Sequence, residues 1–381
     1  MTRIRVLQLI SGVDIGEQSG GAESHALKVA ARLDKTTFES SVFSMWYFGG
    51  VVEESWIKKL KENNLDLYGL TPWNNKLKTN VYKSFLRLWE TVSTFRPHII
   101  NSHSERGDWM NMLVNVFHPI HPYAIRTVHI DRQWSTHPLL GNCLNKMIFP
   151  VVFDKEICVS QTIYHYLSSP LRREEQINLC YNGIDKSSFE KTEQLQSKLP
   201  PGIPQGRPRI GVIGRLAEQK GHSDLLDAMK IVLQKQSVHL VIIGDGPLKT
   251  SLQTKALQDG IISNVHFLGV RNDVDMILSH LDVFVLPSLW EGFPTVLLEA
   301  MSKEVPVIAT NVSGSRELVK TGETGWLVSP SCPNDLAQAI ETAVTNILFA
   351  KQMARQAKQH ASQYTLQAML ACYESIYRQF G

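Results

Sequence analysis

The sequence has few cysteines, no long apolar run and little net charge. Its 5 cysteines include no Cys-x-x-Cys pair, and their odd number argues against a closed disulfide framework. No apolar stretch approaches the roughly 18 to 20 residues that cross a bilayer, and the apolar run near the amino terminus is too short for a signal peptide. The net charge of +3 is far below that of a dedicated nucleic-acid-binding protein. These absences favour a cytoplasmic protein that binds no nucleic acid and touches membranes only peripherally.

The motifs of common cofactor and metal sites are also missing. Without Gly-x-Gly-x-x-Gly a nicotinamide or flavin site has little support, and without a P-loop a kinase or NTPase is disfavoured. There is no His-Glu-x-x-His and no zinc-type spacing of cysteine and histidine. We therefore expect no cofactor and no metal.

What is present is a repeated alternation of short apolar runs with amphipathic segments. This pattern is typical of parallel sheets covered by helices, and 381 residues suit two domains rather than one. The predicted fold class is α/β, with two Rossmann-like, doubly wound parallel-sheet domains facing each other across a cleft. The predicted strands are RVLQLI, SSVFSM, LDLYGL, PHIINS, YAIRTV and EICVS in the first half, and RIGVIG, HLVIIG, VHFLG, DVFVLP, PVIAT and GWLV in the second.

The boundary between the domains is predicted where proline and glycine accumulate and the apolar pattern lapses. The amino-terminal domain then spans 1–185, the linker 186–205 and the carboxyl-terminal domain 206–363. The tail contains more helix than the second sheet needs, so the last helix, 364–381, is predicted to cross back and pack on the first domain.

The second half carries a group of charged residues at strand ends. Arg215 and Lys220 follow an apolar strand and precede a helix, an arrangement suited to a diphosphate. In WEGFPTVLLEAM, Glu291 lies in a loop, Pro294 is placed at the first turn of a helix, and Glu299 lies inside that helix. Both carboxylates could accept hydrogen bonds from sugar hydroxyls at the helix start. The plainer interpretation is an ordinary loop charge and a solvated helix residue.

The first half offers weaker signals. Gly20 and Gly21 lie between a strand and a helix, where the backbone could approach a phosphate or sugar closely. His103 and His129 each follow a predicted strand, and Asp131 comes just after. A single histidine is more often a structural hydrogen-bonding group than a catalyst, but two at one sheet edge favour at least one lining the cleft.

Taken together, these motifs resemble the retaining glycosyltransferases of family 4, whose two-domain fold is called GT-B. The resemblance covers nearly the whole chain, in the order SGGAE, TVH, YNGID, GRLAEQKG, IIGDGP, PSLWEGFPTVLLEAM, ATNVSGSRELV and GWLVSP. It implies an enzyme of hexosyltransferase type that moves a sugar, without metal, from a UDP- or GDP-type nucleotide sugar to a glycan or lipid-linked acceptor. The implied setting is polysaccharide or other glycoconjugate biosynthesis at the inner face of the cytoplasmic membrane.

The resemblance also implies residue roles. Glu299 should bind the ribose, Glu291 should lie beside the donor sugar, and Arg215 and Lys220 should hold the diphosphate. The remaining implied donor contacts are Gly20, Gly21, Gly246, Phe293, Pro294 and Thr295. His129 matches the histidine that touches the donor sugar and is counted with the catalytic residues, while His103 and Asp131 are placed on the acceptor side.

Two departures from the family pattern bear on the donor. Ser313-Gly314 stands where many members have Gly-Gly, and Pro294 stands where glycine is common. Residues 73–89 mix lysines with aromatic side chains, as a membrane-surface helix or an ordinary covering helix would. Other functions that share the fold stay open at this point: a nucleotide-sugar epimerase, a phosphorylase, or a sugar-nucleotide-binding protein without catalysis.

Overall fold

The computed structural model describes residues 2–14, 20–131, 138–168, 170–190, 199–205 and 208–381. The chain forms two compact units: Met1–Tyr181 together with Met369–Gly381, and Asn182–Ala368. The carboxyl-terminal residues thus belong to the first unit, beginning at Met369 rather than at the expected residue 364. Residues 191–198 of the predicted linker, and residue 206, at which the second domain was predicted to begin, lie outside the described residues.

The first unit is built on a seven-stranded parallel sheet in the order β3-β2-β1-β4-β5-β6-β7. The chain moves outward from β1 to β3 and then returns to the other side of β1 as β4, so the direction of winding reverses between β1 and β4. Ligands of such sheets bind outside the carboxyl ends of the strands at this reversal. The strands are β1 Ile4–Ile10, β2 Phe38–Tyr47, β3 Leu67–Pro72, β4 Ile99–Ser102, β5 Tyr123–Val128, β6 Lys155–Cys158 and β7 Ile177–Leu179.

Helices connect these strands and bury one face each. In Leu77–Phe95 the buried residues recur every three or four positions, the spacing of one helix face. Ser104 caps the helix that follows β4, since its Oγ accepts a hydrogen bond from the Gly107 amide at 3.2 Å. The α-helices are Gly21–Arg32, Val51–Glu62, Leu77–Phe95, Glu105–Phe117, Pro138–Cys143, Phe149–Val152 and Gln161–Leu167, and a π-helical turn, Leu144–Ile148, joins the fifth to the sixth.

The second unit repeats this topology with a six-stranded parallel sheet in the order β10-β9-β8-β11-β12-β13. Its central strands β11 and β12 are buried along their whole length, as expected where helices cover both faces of a sheet. The strands are β8 Arg209–Ile213, β9 His239–Ile243, β10 Val265–Gly269, β11 Val283–Leu286, β12 Val307–Thr310 and β13 Trp326–Val328.

The α-helices of the second half surround this sheet. They are His222–Val232, Lys249–Gln258, Val274–Leu278, Thr295–Ser302, Ser313–Leu318, Pro333–Thr345 and Ile347–Ala361, followed by Leu366–Tyr377, which ends in the first unit. Within the described residues, no helix is both long enough and apolar enough to span a membrane.

Every predicted strand is present, and the predicted fold class is confirmed for both sheets. The strand that the sequence analysis missed is β7, whose three residues are too few to show an alternation of apolar and polar positions. The expectation about cysteines was incomplete. Cys180 and Cys372 form a disulfide bond, whereas Cys143, Cys158 and Cys332 form none with the cysteines that the structure describes. An odd number of cysteines excludes complete pairing but not a single bridge.

Candidate functional site

The carboxyl edge of the second sheet holds an ion pair at the point where the winding reverses. Lys220 follows β8 and Glu291 follows β11, and these two strands are neighbours in the sheet. The Lys220 Nζ lies 2.5 Å from Glu291 Oε1, and Ser288 Oγ donates to the same oxygen at 2.7 Å. Glu291 is 6 % exposed. The structure thus brings together two of the predicted site residues, 71 positions apart in sequence.

The loops that carry this pair are tied to each other. The Leu289 amide donates to Gln219 O at 2.7 Å, and Gln219 Nε2 donates to Trp290 O at 3.0 Å. Gly221 has φ +62°, and a Cβ there would lie 2.0 Å from the carbonyl oxygen of Pro287. Only glycine permits both this left-handed backbone and this close approach. The glycine next to Lys220 is therefore explained by the packing of the two loops.

The helix Thr295–Ser302 begins directly behind this pair. Pro294 precedes its first residue with φ −76°, and no side chain caps the helix. Uncapped amide groups at a helix start favour an anion. Glu299 lies in this helix and is half-buried. The sequence placed Pro294 inside the first turn, and the structure places it one position earlier, a difference within the usual ambiguity of helix ends.

A second close approach fixes the segment before this helix. A Cβ on Gly314 would lie 2.1 Å from the carbonyl oxygen of Gly292, so the start of helix Ser313–Leu318 can reach this segment only with glycine at that position. Asn182 Nδ2 donates to the Phe293 carbonyl at 2.9 Å. The asparagine of YNGID therefore supports the backbone beside Glu291, a role that the sequence analysis did not identify.

Gly246 is also explained by packing. It has φ +155°, and a Cβ there would lie 2.7 Å from Leu216 O, next to Arg215. The preceding Asp245 is held by Lys249 at 2.6 Å, and this hydrogen bond lowers the pKa of the carboxyl group. The backbone carbonyl of Asp245 accepts a hydrogen bond from the Leu216 amide at 2.9 Å. This turn therefore supports the backbone of the loop that carries Arg215.

The carboxyl edge of the first sheet brings together the two predicted histidines. His103 Nδ1 and His129 Nε2 are 3.0 Å apart, and the two rings follow the neighbouring strands β4 and β5. His103 is buried and His129 is half-buried. Burial lowers the pKa of His129 to about 3, and burial together with His129 and His25 lowers the pKa of His103 well below its usual 6.5. Both rings are therefore neutral near pH 7.

The other predicted residues of this unit stand in different surroundings. Gly20 precedes and Gly21 begins the helix Gly21–Arg32, and a Cβ on either would meet no atom of the described residues within 4 Å. Asp131 follows His129 by two positions and is half-buried. Packing against the part of the chain that the structure describes does not require glycine at positions 20 and 21, in contrast to Gly314 of the second unit.

The carboxyl-terminal helix contributes side chains that the sequence analysis missed. Tyr373 and Tyr377 are fully buried, and the Tyr373 hydroxyl lies 2.8 Å from His25 Nε2. Gln8 Nε2 donates to the Tyr377 hydroxyl at 3.2 Å, and Gln8 Oε1 lies 2.8 Å from His103 Nε2. Two tyrosines one helical turn apart were the available signal, but nothing in the sequence related them to β1 or to the histidines.

No group of three or more histidine, cysteine, aspartate or glutamate side chains within the described residues could hold a metal ion. The expectation of a metal-free site did not take account of one Asp-x-Asp triplet, Asp273-Val274-Asp275. In other proteins such a triplet can hold a cation. In the structure Asp273 pairs with Arg271 at 2.6 Å, and Asp275 lies 3.5 Å from Lys303 Nζ. Positively charged side chains therefore already accompany both carboxylates.

The two parallel sheets, each with a reversal of winding, indicate the class of fold. Solved structures with this architecture include Anabaena HepE in complex with UDP-glucose, with a TM-score of 0.81 and 21% identity over 98% of this chain and 99% of that one. Sucrose-phosphate synthase from Thermosynechococcus elongatus has a TM-score of 0.80 and 18% identity, with 98% of each chain covered. At these identities the likeness shows the fold, which is GT-B.

The sequence comparisons identify the family. Residues 19–188 match the family described as Glycosyltransferase Family 4, and residues 194–360 match Glycosyl transferases group 1. The chain therefore belongs to the family 4 glycosyltransferases. It is 28% identical to the Escherichia coli UDP-Gal:alpha-D-GlcNAc-diphosphoundecaprenol alpha-1,3-galactosyltransferase, over 70% of this chain and 72% of the relative. It is 25% identical to the Staphylococcus aureus capsular polysaccharide biosynthesis glycosyltransferase CapM, over 85% and 88%.

Proposed function

We propose that this glycosyltransferase moves a hexosyl group, with retention of configuration and without a metal, from a UDP- or GDP-type sugar to a glycan or lipid-linked acceptor. The observation that carries the proposal is the Lys220–Glu291 pair beside an uncapped helix start, at the switch point of a sheet of the Rossmann type. A diphosphate needs positive charge at such a place, and a sugar needs carboxylates and backbone groups.

Lys220 is assigned to the diphosphate together with Arg215. As the glycosidic bond breaks, negative charge grows on the leaving diphosphate, and a fixed ammonium group lowers the energy of that state. The carboxylate of Glu291 holds the ammonium group in place. Glu299, in the helix behind the pair, is assigned to the ribose hydroxyls. The backbone from Phe293 to Thr295 is assigned to sugar and phosphate contacts, because Asn182 and Gly314 fix it.

The proposed reaction is a front-face substitution. The bond from the anomeric carbon to the diphosphate oxygen breaks while the bond to the acceptor oxygen forms on the same face. The acceptor proton passes to the leaving diphosphate, so the products are a nucleoside diphosphate and a glycoside of unchanged configuration. Oε1 of Glu291 already accepts from Lys220 and Ser288, which favours a positioning role over attack on the sugar. Trapping a glycosyl adduct on Glu291 would contradict this pathway.

The relatives suggest which substrates to test first. The name of the Escherichia coli relative specifies UDP-Gal and an acceptor carried on diphosphoundecaprenol, and the Anabaena HepE structure contains UDP-glucose. CapM acts in capsular polysaccharide biosynthesis by its name. We therefore propose a UDP-hexose as the first donor to test and a lipid-diphosphate-linked sugar as the first acceptor.

A lipid-linked acceptor gives membrane contact a purpose. The helix Leu77–Phe95 exposes Tyr82 by 62% and Leu86 by 49%, and Lys78 and Lys83 lie on its exposed part. Arg87 is used differently, because its Nη1 donates to Gly69 O and Leu70 O at 2.7 Å each. We propose that Lys78 and Lys83 attract an anionic membrane surface while Tyr82 and Leu86 enter its interface.

Vesicles test the membrane proposal. We expect vesicles with anionic lipid to retain the protein at low salt and to release it at high salt, because the Debye length shortens. The double variant Lys78→Glu/Lys83→Glu should reduce retention severalfold, since each basic residue near the surface contributes about 1 kcal/mol. Lys351→Glu, at an exposed position of helix Ile347–Ala361, is the matched control. Equal retention of all variants would contradict the assignment to this helix.

The activity itself is tested by nucleotide release. The purified protein is mixed with UDP-, GDP- and ADP-sugars in the presence of EDTA, with and without a lipid-diphosphate sugar, and products are identified by mass spectrometry. We expect release from one nucleotide class and a product one hexose heavier. A donor converted to another sugar nucleotide without acceptor would favour an epimerase. Donor binding by calorimetry without any release, even with acceptor, would favour a binding protein. Activity lost in EDTA and restored by a divalent cation would overturn metal independence.

A further inference from the structure

The first sheet carries a buried chain of hydrogen bonds that ends on His129. Gln8 lies on β1, His103 follows β4 and His129 follows β5, three strands that are adjacent in the sheet. From the carboxyl-terminal helix, the chain runs from Tyr377 to Gln8 at 3.2 Å, to His103 at 2.8 Å and to His129 at 3.0 Å. Gln8, His103 and Tyr377 are all buried. Buried polar groups of this kind need such hydrogen bonds to offset their lost contact with water.

The donor and the acceptor can be assigned in each hydrogen bond of this series. The Tyr377 hydroxyl accepts from Gln8 Nε2, and Asn101 Nδ2 donates to the same oxygen at 2.8 Å. Gln8 therefore presents its carbonyl oxygen to His103. A carbonyl oxygen only accepts, so His103 carries its proton on Nε2. Because a neutral imidazole has one N–H, Nδ1 of His103 is an acceptor, and the facing Nε2 of His129 must donate.

The far side of His129 is then determined. With its proton on Nε2, the ring offers a lone pair on Nδ1, and that atom has no hydrogen-bond partner among the residues that the structure describes. His25 lies near, with a ring centroid 5.1 Å away, but its Nε2 is bonded to the Tyr373 hydroxyl. The available atom of His129 is an acceptor, and the complementary group on a sugar is a hydroxyl.

We propose that Gln8 and His103 are positioning residues that hold His129 as the tautomer protonated on Nε2, so that its Nδ1 accepts a hydrogen bond from a hydroxyl of the bound sugar. The role of the sugar rests on the proposed function, whereas the tautomer does not. His129 would then select for a hydroxyl at one position of the sugar and against an ether or a missing hydroxyl there. His103 and Gln8 would act on the substrate only through His129.

The tautomer is measured directly by NMR. Protein labelled with ¹⁵N in histidine gives two-bond ¹H–¹⁵N correlations that distinguish the protonated from the unprotonated ring nitrogen, and a His129→Gln sample assigns the signals. We expect His129 to be protonated on Nε2 alone at pH 7. A ring protonated on Nδ1, or an equal mixture in the unaltered protein, would overturn the proposal.

Two substitutions of one residue separate positioning from packing. Asparagine at position 103 can place a carbonyl oxygen where His103 Nδ1 stands, whereas leucine fills similar space with no acceptor. We expect His103→Asn to keep the Nε2 tautomer of His129 and His103→Leu to release it into a mixture. His118→Leu is the control for losing a buried histidine of the same unit, since His118 is 2% exposed and bonded to Ser93. An unchanged tautomer in His103→Leu would also overturn the proposal.

Kinetics complete the test. His103→Leu should lower kcat/KM for transfer by about tenfold, which corresponds to one ordinary hydrogen bond, and His103→Asn should recover most of that loss. A donor that lacks the selected hydroxyl should react equally with the unaltered protein and with His103→Leu. If all donors fail as substrates while the NMR result holds, the proposed function is wrong and the positioning of His129 stands. If transfer occurs and His103→Leu matches the unaltered protein, the positioning role is wrong.

Discussion

The two sheets have the same winding but very different carboxyl edges. In the second unit the switch point holds an ammonium group and a carboxylate 2.5 Å apart, with the lysine side chain 20% exposed. In the first unit the corresponding edge holds neutral imidazoles, a carboxamide and phenols, most of them fully buried. One topology therefore supports two electrostatic environments, and the residues after each strand decide which one forms.

The difference matches the chemistry that each edge can perform. A diphosphate leaving group needs fixed positive charge. Burying a charge costs free energy, and this cost is smaller where solvent still reaches the lysine. A sugar hydroxyl can also hydrogen-bond to a neutral group held in a defined orientation, and buried hydrogen bonds provide that orientation. The comparison predicts that charge dominates the effects of substitution in the second unit and that hydrogen-bond geometry dominates in the first.

The largest expected effect comes from the charged edge. Lys220→Ala removes the ammonium group and leaves Glu291 buried without its counter-ion, so we expect kcat to fall about 100- to 1000-fold, as for other preorganised charge-stabilising groups. Steady-state kinetics with the donor identified by the release assay measures this. Lys230→Ala is the matched control, because Lys230 is likewise paired with a carboxylate, that of Asp259 at 2.8 Å, but lies on the surface. A loss of less than tenfold for Lys220→Ala would break the proposed contrast between the edges.

Glycine substitutions test whether packing differs between the edges. Gly314→Ala would place a methyl group 2.1 Å from Gly292 O, and we expect about 1 to 3 kcal/mol less unfolding free energy because the backbone must shift. Gly21→Ala would meet no atom of a described residue within 4 Å, and we expect equal or slightly greater stability, because alanine restricts the unfolded chain. Urea unfolding of both variants measures the difference. Similar losses for the two would show that the open space at Gly21 is filled in solution.

Acid should decrease the stability that the neutral histidines of the first sheet contribute. His129 and His103 have folded pKa values below the 6.5 of the unfolded chain, so the unfolded state binds more protons as the pH falls. Their contribution to stability is complete above about pH 6.5 and decreases below it, by up to about 1.4 kcal/mol per pH unit for each ring. His103→Asn should therefore lose about 1 to 2 kcal/mol less than the unaltered protein between pH 7 and pH 5 in urea unfolding.

The comparison of variants is needed because other groups titrate in the same range. Burial raises the pKa of Asp108 to about 6, despite the nearby Arg126. Protonation of this carboxyl group therefore increases the stability of the protein as the pH falls from about 6 to about 4. His222 of the second unit, with a pKa lowered to about 4 by burial and by Lys220, adds a loss like that of the first-unit histidines. An identical pH dependence for His103→Asn and the unaltered protein would contradict the assignment of His103 as a neutral ring.

The strand pattern was readable from sequence because both faces of each sheet are covered. Runs such as VFVL at β11 stay apolar without interruption, and the loops after them concentrate glycine, proline and charge. Lys220 and Glu291 were identified as site residues for the same reason, since each follows such a run. The supporting residues Asn182 and Gln8 were not, because they are common polar types whose partners are distant in sequence.

The sequence by itself determined the alternation of strands and helices, the places where charge and glycine follow a strand, and the family. Those features are local, and each depends on residues within one element or one turn. Only the tertiary structure decided that Lys220 meets Glu291, that Gly314 must lack a side chain, and that Tyr377 reaches His129 through Gln8 and His103. These contacts depend on which strands become neighbours, and a sheet whose winding reverses joins strands that are far apart in the chain.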